Sequence, residues 1–408
     1  MNSFKFLSLG LALFGYSMNL SAQPLLVTGD YRGEIKPCGC SEEGDMGGIE
    51  RASSFLKKTK TNHIWVDLGN FSAPATPQGE LKSQLIYKFF KKNKLFAILP
   101  GPKEFQKGVA YLSRFPLPYL VTNQKRPFPV ASRSKKKGGL TWYGYLSPAQ
   151  LSRGSHQTTW LMGVKGFLAR LSKREEKRAL LFRGSPQELK EILNAEDFAL
   201  VLVANQAESE EQQSLTLKLS GKNYLIPPLK GQGYLELSGP KDQKGKIHWL
   251  GSDWPNDKTW VKDFKAYDKK VEKLFFADME FRQKQSKRVY KGTEGCVSCH
   301  QKQGEKWQTT RHAKAFESLV AVGKQYDPEC IRCHVAGYQR GGFLSAQLTP
   351  KLKGVQCENC HGSFKPHTKV WLEERPKVDR MACRGCHNGS HSPNFKFKNY
   401  YPQIAHEN

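Results

Sequence analysis

Beyond its N-terminal stretch, this chain of 408 residues has no apolar run approaching the ~20 residues that cross a bilayer, so no later segment can span a membrane. Cysteine is almost confined to one repeated pattern. Eight of the ten cysteines lie in it, which leaves no framework of disulfides to staple the fold. Acidic residues are also scarce: 37 Asp+Glu stand against 64 Lys+Arg, a formal charge of +27. Residues 291–408 hold 18 basic and 10 acidic side chains, so most of the surplus lies upstream, in clusters such as Lys135-Lys136-Lys137. A field of that sign steers an acidic partner protein, an anionic lipid surface or another polyanion towards the chain.

The start of the chain argues against nucleic acid as that polyanion. Met1–Lys5 is short and basic, Phe6–Tyr16 is apolar, and Leu20-Ser21-Ala22 offers a small-residue cleavage site. Residues 1–22 therefore read as a secretory signal. No cysteine stands at the cleavage site, so no lipid anchor is indicated. The mature protein is expected to be periplasmic or exported and soluble.

The repeated pattern is Cys-x-x-Cys-His. It occurs as Cys296, Cys299 and His300; Cys330, Cys333 and His334; Cys357, Cys360 and His361; and Cys383, Cys386 and His387. Two thiols three positions apart can add to the two vinyl groups of one haem, and the histidine that follows is set beneath the iron. Zinc sites and redox dithiols also use Cys-x-x-Cys, but neither requires histidine in the fifth place of every unit. Four covalently attached c-type haems are expected, with His300, His334, His361 and His387 as proximal ligands. Residues 290–408 then form a mostly α-helical, haem-packed domain in which the porphyrins are the core and their insertion is coupled to folding. His312, His367, His391 and His406 are available for the sixth iron positions, whereas Met381, two residues before Cys383, is poorly placed.

Upstream, strand-like runs at residues 24–30, 63–67, 119–122, 160–164, 199–203 and 234–237 alternate with helical stretches at 52–58 and 79–92, which predicts an α/β domain over residues 23–255. Residues 256–289 read as a connector: from Asp257 onward, Trp260, Phe264, Tyr267, Val271, Leu274 and Phe275 recur at threes and fours, a helix face that should pack on one or both domains.

The segments Val27-Thr-Gly-Asp30-Tyr-Arg32-Gly33, Gly47-Gly48, Val66-Asp67-Leu-Gly69-Asn70, Leu99 to Gln106 and Leu120-Val-Thr-Asn123 resemble the catalytic domain of 5′-nucleotidase-type, calcineurin-like metallophosphoesterases. The resemblance implies an α/β sandwich holding two divalent metals on aspartates and histidines. Asp30 and Asp67 keep their places in it. Arg32 stands where the first histidine would be, and Pro102-Lys103 where an Asn-His pair would be, and neither cation can coordinate a metal. A degenerate, non-catalytic domain is expected, with phosphoesterase activity as the alternative. Cys38-Gly-Cys40 falls in its first loop and is a candidate redox pair, metal-binding pair or pair of unreactive thiols.

The C-terminal region is similar to the tetrahaem cytochrome c-554 family through Tyr290 to His300, Trp307 to Phe316, Cys330 to Tyr338, Gly354 to Gly362, His367 and Ile404-Ala-His406. That resemblance implies that His312, His367 and His406 are distal ligands reaching haems other than the nearest in sequence, and that the His334 haem is five-coordinate, with His391 left spare. The residues themselves leave open that His391 fills the fourth position. The expected function is single-electron transfer between redox partner proteins. The alternative is an oxidoreductase acting on NO, nitrite or hydroxylamine at the open haem of His334.

Overall fold

The computed structural model describes residues 23–406 apart from 38–44, 60–62, 107, 127–130, 152–159, 175, 207–213, 240–241, 243, 285–288, 365–377, 379, 389–390 and 393. The signal segment, Cys38, Cys40 and His367 therefore lie outside the described residues.

The N-terminal part is built on two larger sheets. One has seven strands: β1 (Leu25–Thr28), β2 (Ile64–Asp67), β3 (Ala97–Ile98), β4 (Tyr119–Leu120) and β5 (Ala131–Ser132) run parallel in that order. The other has four: β6 (Lys135–Lys137), β7 (Leu140–Leu146), β8 (Arg178–Arg183) and β9 (Leu200–Val203), parallel from β7 onward. A hairpin pairs β10 (Thr216–Leu219) with β11 (Lys222–Leu225), and β12 (Gly233–Leu237) with β13 (Lys246–Trp249) extend the first sheet beyond β1 in antiparallel sense.

Strands β1, β2 and β7 are buried along their whole length, which is why they read as apolar runs rather than alternating ones. Alternate residues of the second sheet enter different cores. Trp142, Leu146, Ala179, Leu181 and Leu202 face the first sheet, while Tyr143, Tyr145, Leu180, Phe182 and Val203 pack under Phe167, Leu189 and Ile192. Two helices cover the first sheet: α1 (Ile49–Lys58) and α2 (Pro77–Lys92), the latter started by Thr76, whose side chain accepts from Gly79 N.

One expected strand is absent. The run 160–164 makes a single antiparallel bridge, Leu161 to Gln124, and then becomes a helix, Val164–Leu168. The cause is spacing: Val164 and Phe167, three apart, both bury into the second core, which a period-2 strand could not achieve.

The connector folds as a helix, Val261–Ala277, followed by a short one, Met279–Lys284. Its apolar face is shared. Trp260, Phe264, Tyr267 and Val271 belong to the N-terminal core, and Phe275 to a separate cluster with Phe316, Leu319, Ile331, Val335, Phe343 and Leu352. Arg282 fixes this end of the connector by donating to Phe275 O at 2.9 Å and Leu344 O at 3.2 Å. Among the described residues, no helix is long and apolar enough to cross a membrane.

Candidate haem sites and a buried carboxylate cluster

The C-terminal region consists of short helices joined by turns, and all four motifs overlap them: Glu294–Val297, Pro328–His334, Cys357–His361 and Arg380–Arg384. Glu358 of the third motif and Gln356 just before it tie this segment to the residues that lead into the first motif. Glu358 accepts from Lys291 N at 3.1 Å and Gly292 N at 2.9 Å, and Gln356 accepts from Thr293 N at 2.8 Å.

The thiols report the same neighbourhoods. Burial, with Cys357 close by, pushes the Cys296 thiol up to about 11. Burial, with Cys383 nearby, pushes Cys360 up to about 11. A hydrogen bond between Cys333 and Cys386 lowers the first to about 6 and raises the second. The thiols are thus neighbours in the order first, third, fourth, second, and Asn359 of the third motif also donates to Val335 O, just after the second, at 3.1 Å. None of the eight cysteines is in a disulfide, so each pair keeps both sulfurs for thioether bonds.

Two pairs of imidazoles face each other. The His312 and His387 ring centroids are 6.2 Å apart, and those of His361 and His406 are 5.9 Å apart. An ion held between two imidazoles at ~2.0–2.1 Å per bond separates their ring centres by about 6 Å. By this spacing His312 with His387 would hold one iron, and His361 with His406 another. Burial, then the neighbouring ring, holds the His312 and His361 imidazoles below the ordinary histidine range, which favours the neutral form that binds metal.

The placement of His312 depends on a turn at the far end of the next segment. Val355 N donates to His312 O at 2.9 Å, and the Trp307 indole donates to Val355 O at 2.7 Å. Gly354 has φ +80°, and a Cβ there would lie 2.7 Å from Ala313 O, so only glycine allows this approach. His334 is oriented differently. Its Nδ1 donates to Ala315 O at 2.6 Å and lies 3.3 Å from Ser318 Oγ, which leaves Nε2 for a metal. His387 Nδ1 is 3.2 Å from Ser392 Oγ. His391 lies near the second motif, close enough to Cys333 for its charge to lower that thiol.

The N-terminal carboxylates occupy a different kind of site. Asp30 and Asp67 are both buried at the carboxyl ends of β1 and β2. Asp67 accepts from Thr28 Oγ1 at 2.7 Å and Gly69 N at 2.8 Å. Asp30 accepts from Asn70 Nδ2 at 2.9 Å and from Arg183 NH2 at 2.8 Å, and Arg32 NH2 is 3.5 Å away. The Arg183 guanidinium, at the end of β8, also donates to Leu68 O and Asn205 O.

Asp30, Arg32 and Asn70 all have positive φ, at 52°, 52° and 57°, an uncommon concentration of left-handed backbone. Gly69, at φ +79°, passes so close to Leu99 O that a Cβ would lie 2.1 Å from it. The buried Glu104 carboxylate gathers these loops by accepting from the amides of Asn70, Ser72 and Gly101.

This donor set does not fit a pair of metals. Among the described residues, no group of three or more His, Cys, Asp or Glu is placed to hold one, and Arg183 supplies Asp30 with a cation of the chain's own. Arg32 and Lys103 were the cations visible in the motifs. Arg183 was not, because nothing local in Arg178–Arg183 distinguishes it from the end of an ordinary strand.

Burial, aided by Glu104 and Asp30, outweighs the bonds from Thr28 and Gly69 and lifts the Asp67 carboxyl from 3.8 to about 7. A pKa raised on folding means that the native state holds the proton more tightly. The stability this confers is complete below about pH 4 and is lost as pH rises to about 7. The stability advantage of the parent over Asp67→Asn, measured by urea denaturation, is expected to shrink from pH 4 to pH 7 and then level off. A constant difference would mean that Asp67 is ionised throughout.

The comparisons with known proteins follow this division. A c-type cytochrome module forms the C-terminal region. Specifically, residues 295–362 match the family described as cytochrome c554 and c-prime. Over 89 residues the chain is 39% identical to cytochrome c-554 of Nitrosomonas europaea, covering 18% of this chain. It spans 38% of the length of that relative. The N-terminal region resembles 5′-nucleotidase and calcineurin-like phosphoesterase folds. A sulfate thiohydrolase of Thermus thermophilus aligns with TM-score 0.48 and 10% identity over 60% of both chains. A 5′-nucleotidase precursor, also of Thermus thermophilus, aligns with TM-score 0.47 and 15% identity over 66% of this chain and 61% of its own.

Proposed function

We propose that this protein is an exported tetrahaem electron carrier, passing single electrons between redox partner proteins, with a non-catalytic N-terminal domain. The observation that carries the reading is the order of neighbouring thiols in the four motifs combined with the two facing histidine pairs. When bound, the haems supply one-electron Fe(III)/Fe(II) chemistry. At the third and fourth sites the chain's residues would hold the iron by a histidine on either side, so little would rearrange there between oxidation states. They also bring neighbouring sites into contact, which is what transfer from one to the next requires. The basic surplus upstream of residue 291 favours acidic redox partners.

The test is the optical and EPR spectrum of the loaded protein, oxidised and then reduced under CO. Four haems per chain with low-spin ferric signals at the third and fourth sites are expected. His406→Ala should convert one low-spin haem to a high-spin, CO-binding one. An unchanged spectrum would remove His406 from the ligand set.

A second reading rests on His334. Among the described residues, no histidine ring is stacked against it, and its Nδ1 is fixed by Ala315 O. An open iron there would bind a small nitrogen species such as NO, nitrite or hydroxylamine. CO binding at one haem of the parent, with turnover of one of these compounds far above free haem, would favour this reading. Loss of CO binding in the parent that returns in His391→Ala would favour His391 as the sixth ligand and the carrier.

A phosphoesterase activity is disfavoured by the Arg183–Asp30 pair. Hydrolysis of nucleotides with added Mn²⁺ would reinstate it.

A further inference from the structure

The N-terminal domain touches the cytochrome region at a chemically specific place, the start of the helix Pro328–His334 that carries the second motif. Asp327 caps that helix by accepting from Glu329 N at 3.1 Å. The other face of the same cap is held from α2: Gln78 Nε2 donates to Asp327 Oδ1 at 2.8 Å and to Tyr267 OH at 3.1 Å. One turn along α2, Lys82 Nζ reaches Glu329 Oε2 at 2.5 Å. Gln78 and Lys82 are both buried. Glu329 immediately precedes Cys330, so a buried cation of one domain neutralises a carboxylate next to a haem-attachment cysteine of the other.

Surface ion pairs contribute little as a rule. This pair is half of that kind, with the Lys82 side chain 10% and the Glu329 side chain 46% exposed, and it sits one turn from Gln78, which holds the Asp327 cap.

We propose that the N-terminal domain positions the second haem site and sets its redox balance, with Gln78 and Lys82 as the positioning residues. The inference rests on the electron-carrier reading above. Its physical content is a charge balance at the second site. Ferric haem carries one more positive charge than ferrous haem. Removing the Lys82 ammonium leaves the Glu329 carboxylate uncompensated and favours the oxidised form, while removing the Glu329 charge leaves the ammonium and favours the reduced form. For a unit charge roughly 10 Å away, partly screened, each change amounts to about a threefold to tenfold shift in the oxidised-to-reduced ratio at fixed potential.

The experiment is spectroelectrochemical titration of the full, haem-loaded chain as parent, Lys82→Met, Glu329→Gln and the double variant. The second-haem component is identified as the one missing from a Cys330→Ala/Cys333→Ala variant. Opposite shifts in the two single variants, confined to that component, with the double variant close to the parent, are the expected result. Both single variants break the same contact, so a purely structural role would move them in the same direction. Shifts of equal sign, or none, in protein carrying four haems would overturn the proposal and leave the carrier standing. A parent lacking any second-haem component would overturn both.

Discussion

Replacing Arg183 with methionine is expected to cost the N-terminal domain about 3 kcal/mol of stability, the low end for breaking a buried ion pair, because Arg32 NH2 stays 3.5 Å from the Asp30 carboxylate that Arg183 leaves behind. The side chains of Arg183 and Asp30 are 2% and 1% exposed. Water cannot replace the guanidinium, and Leu68 O and Asn205 O lose their donor at the same time. The double variant Asp30→Asn/Arg183→Met should recover part of the loss, since the stranded carboxylate goes with it. Arg183→Lys should not restore the parent, because one ammonium cannot span three acceptors held by a planar fork. Urea denaturation followed by tryptophan fluorescence reads all three, and a Met variant within 1 kcal/mol of the parent would show that Asp30 is protonated or otherwise neutralised.

The second large effect concerns the thioether bonds. Protein made with all eight motif cysteines changed to alanine is expected to lose residues 357–408 to limited proteolysis about a hundredfold faster than the loaded protein, with the N-terminal body surviving. The buried apolar cluster of the C-terminal region runs from Phe275 to Leu352 and stops there. The helices Arg380–Arg384 and Phe397–Ile404 bury no residue at all. Side chains in and around them pack mainly on one another, as in the stack of His387 on Phe395, so their attachment to the rest is expected to depend on bound haems and on histidines such as His387 and His406. Mass spectrometry of the fragments checks this, and equal resistance of the two proteins would mean that peptide contacts alone suffice.

What could be read in the sequence divides along the range of the chemistry. A Cys-x-x-Cys-His unit is complete within five residues, so all four candidate attachment sites and their expected proximal histidines are legible, and His312 and His406 stand out as imidazoles without a motif. The Asp30 and Asp67 loops were legible through their glycines and their place after apolar strands. Arg183 was hidden because its partner lies 153 positions away and only the sheet order brings them together. The Gln78–Asp327 contact, across 249 positions, was hidden for the same reason. In the sequence, Lys135-Lys136-Lys137 is legible only as part of the basic surplus. It is the edge strand β6, in which Lys135 donates to Phe96 O at 2.8 Å and both Lys135 and Lys137 lie over the Phe96 ring. The connector's aromatic stripe was legible as a packing face, whereas its division between two cores was not, since periodicity records which side of a helix is buried and not what buries it.

That division has a thermodynamic consequence. A flexible tether would let the two halves melt independently, each at its own temperature. Here Val271 and Phe275, one helical turn apart, belong to opposite cores on one continuous helix. Unwinding the helix from either end strips packing from the other, so the N-terminal core and the cluster from Phe275 to Leu352 are expected to unfold in a single cooperative transition.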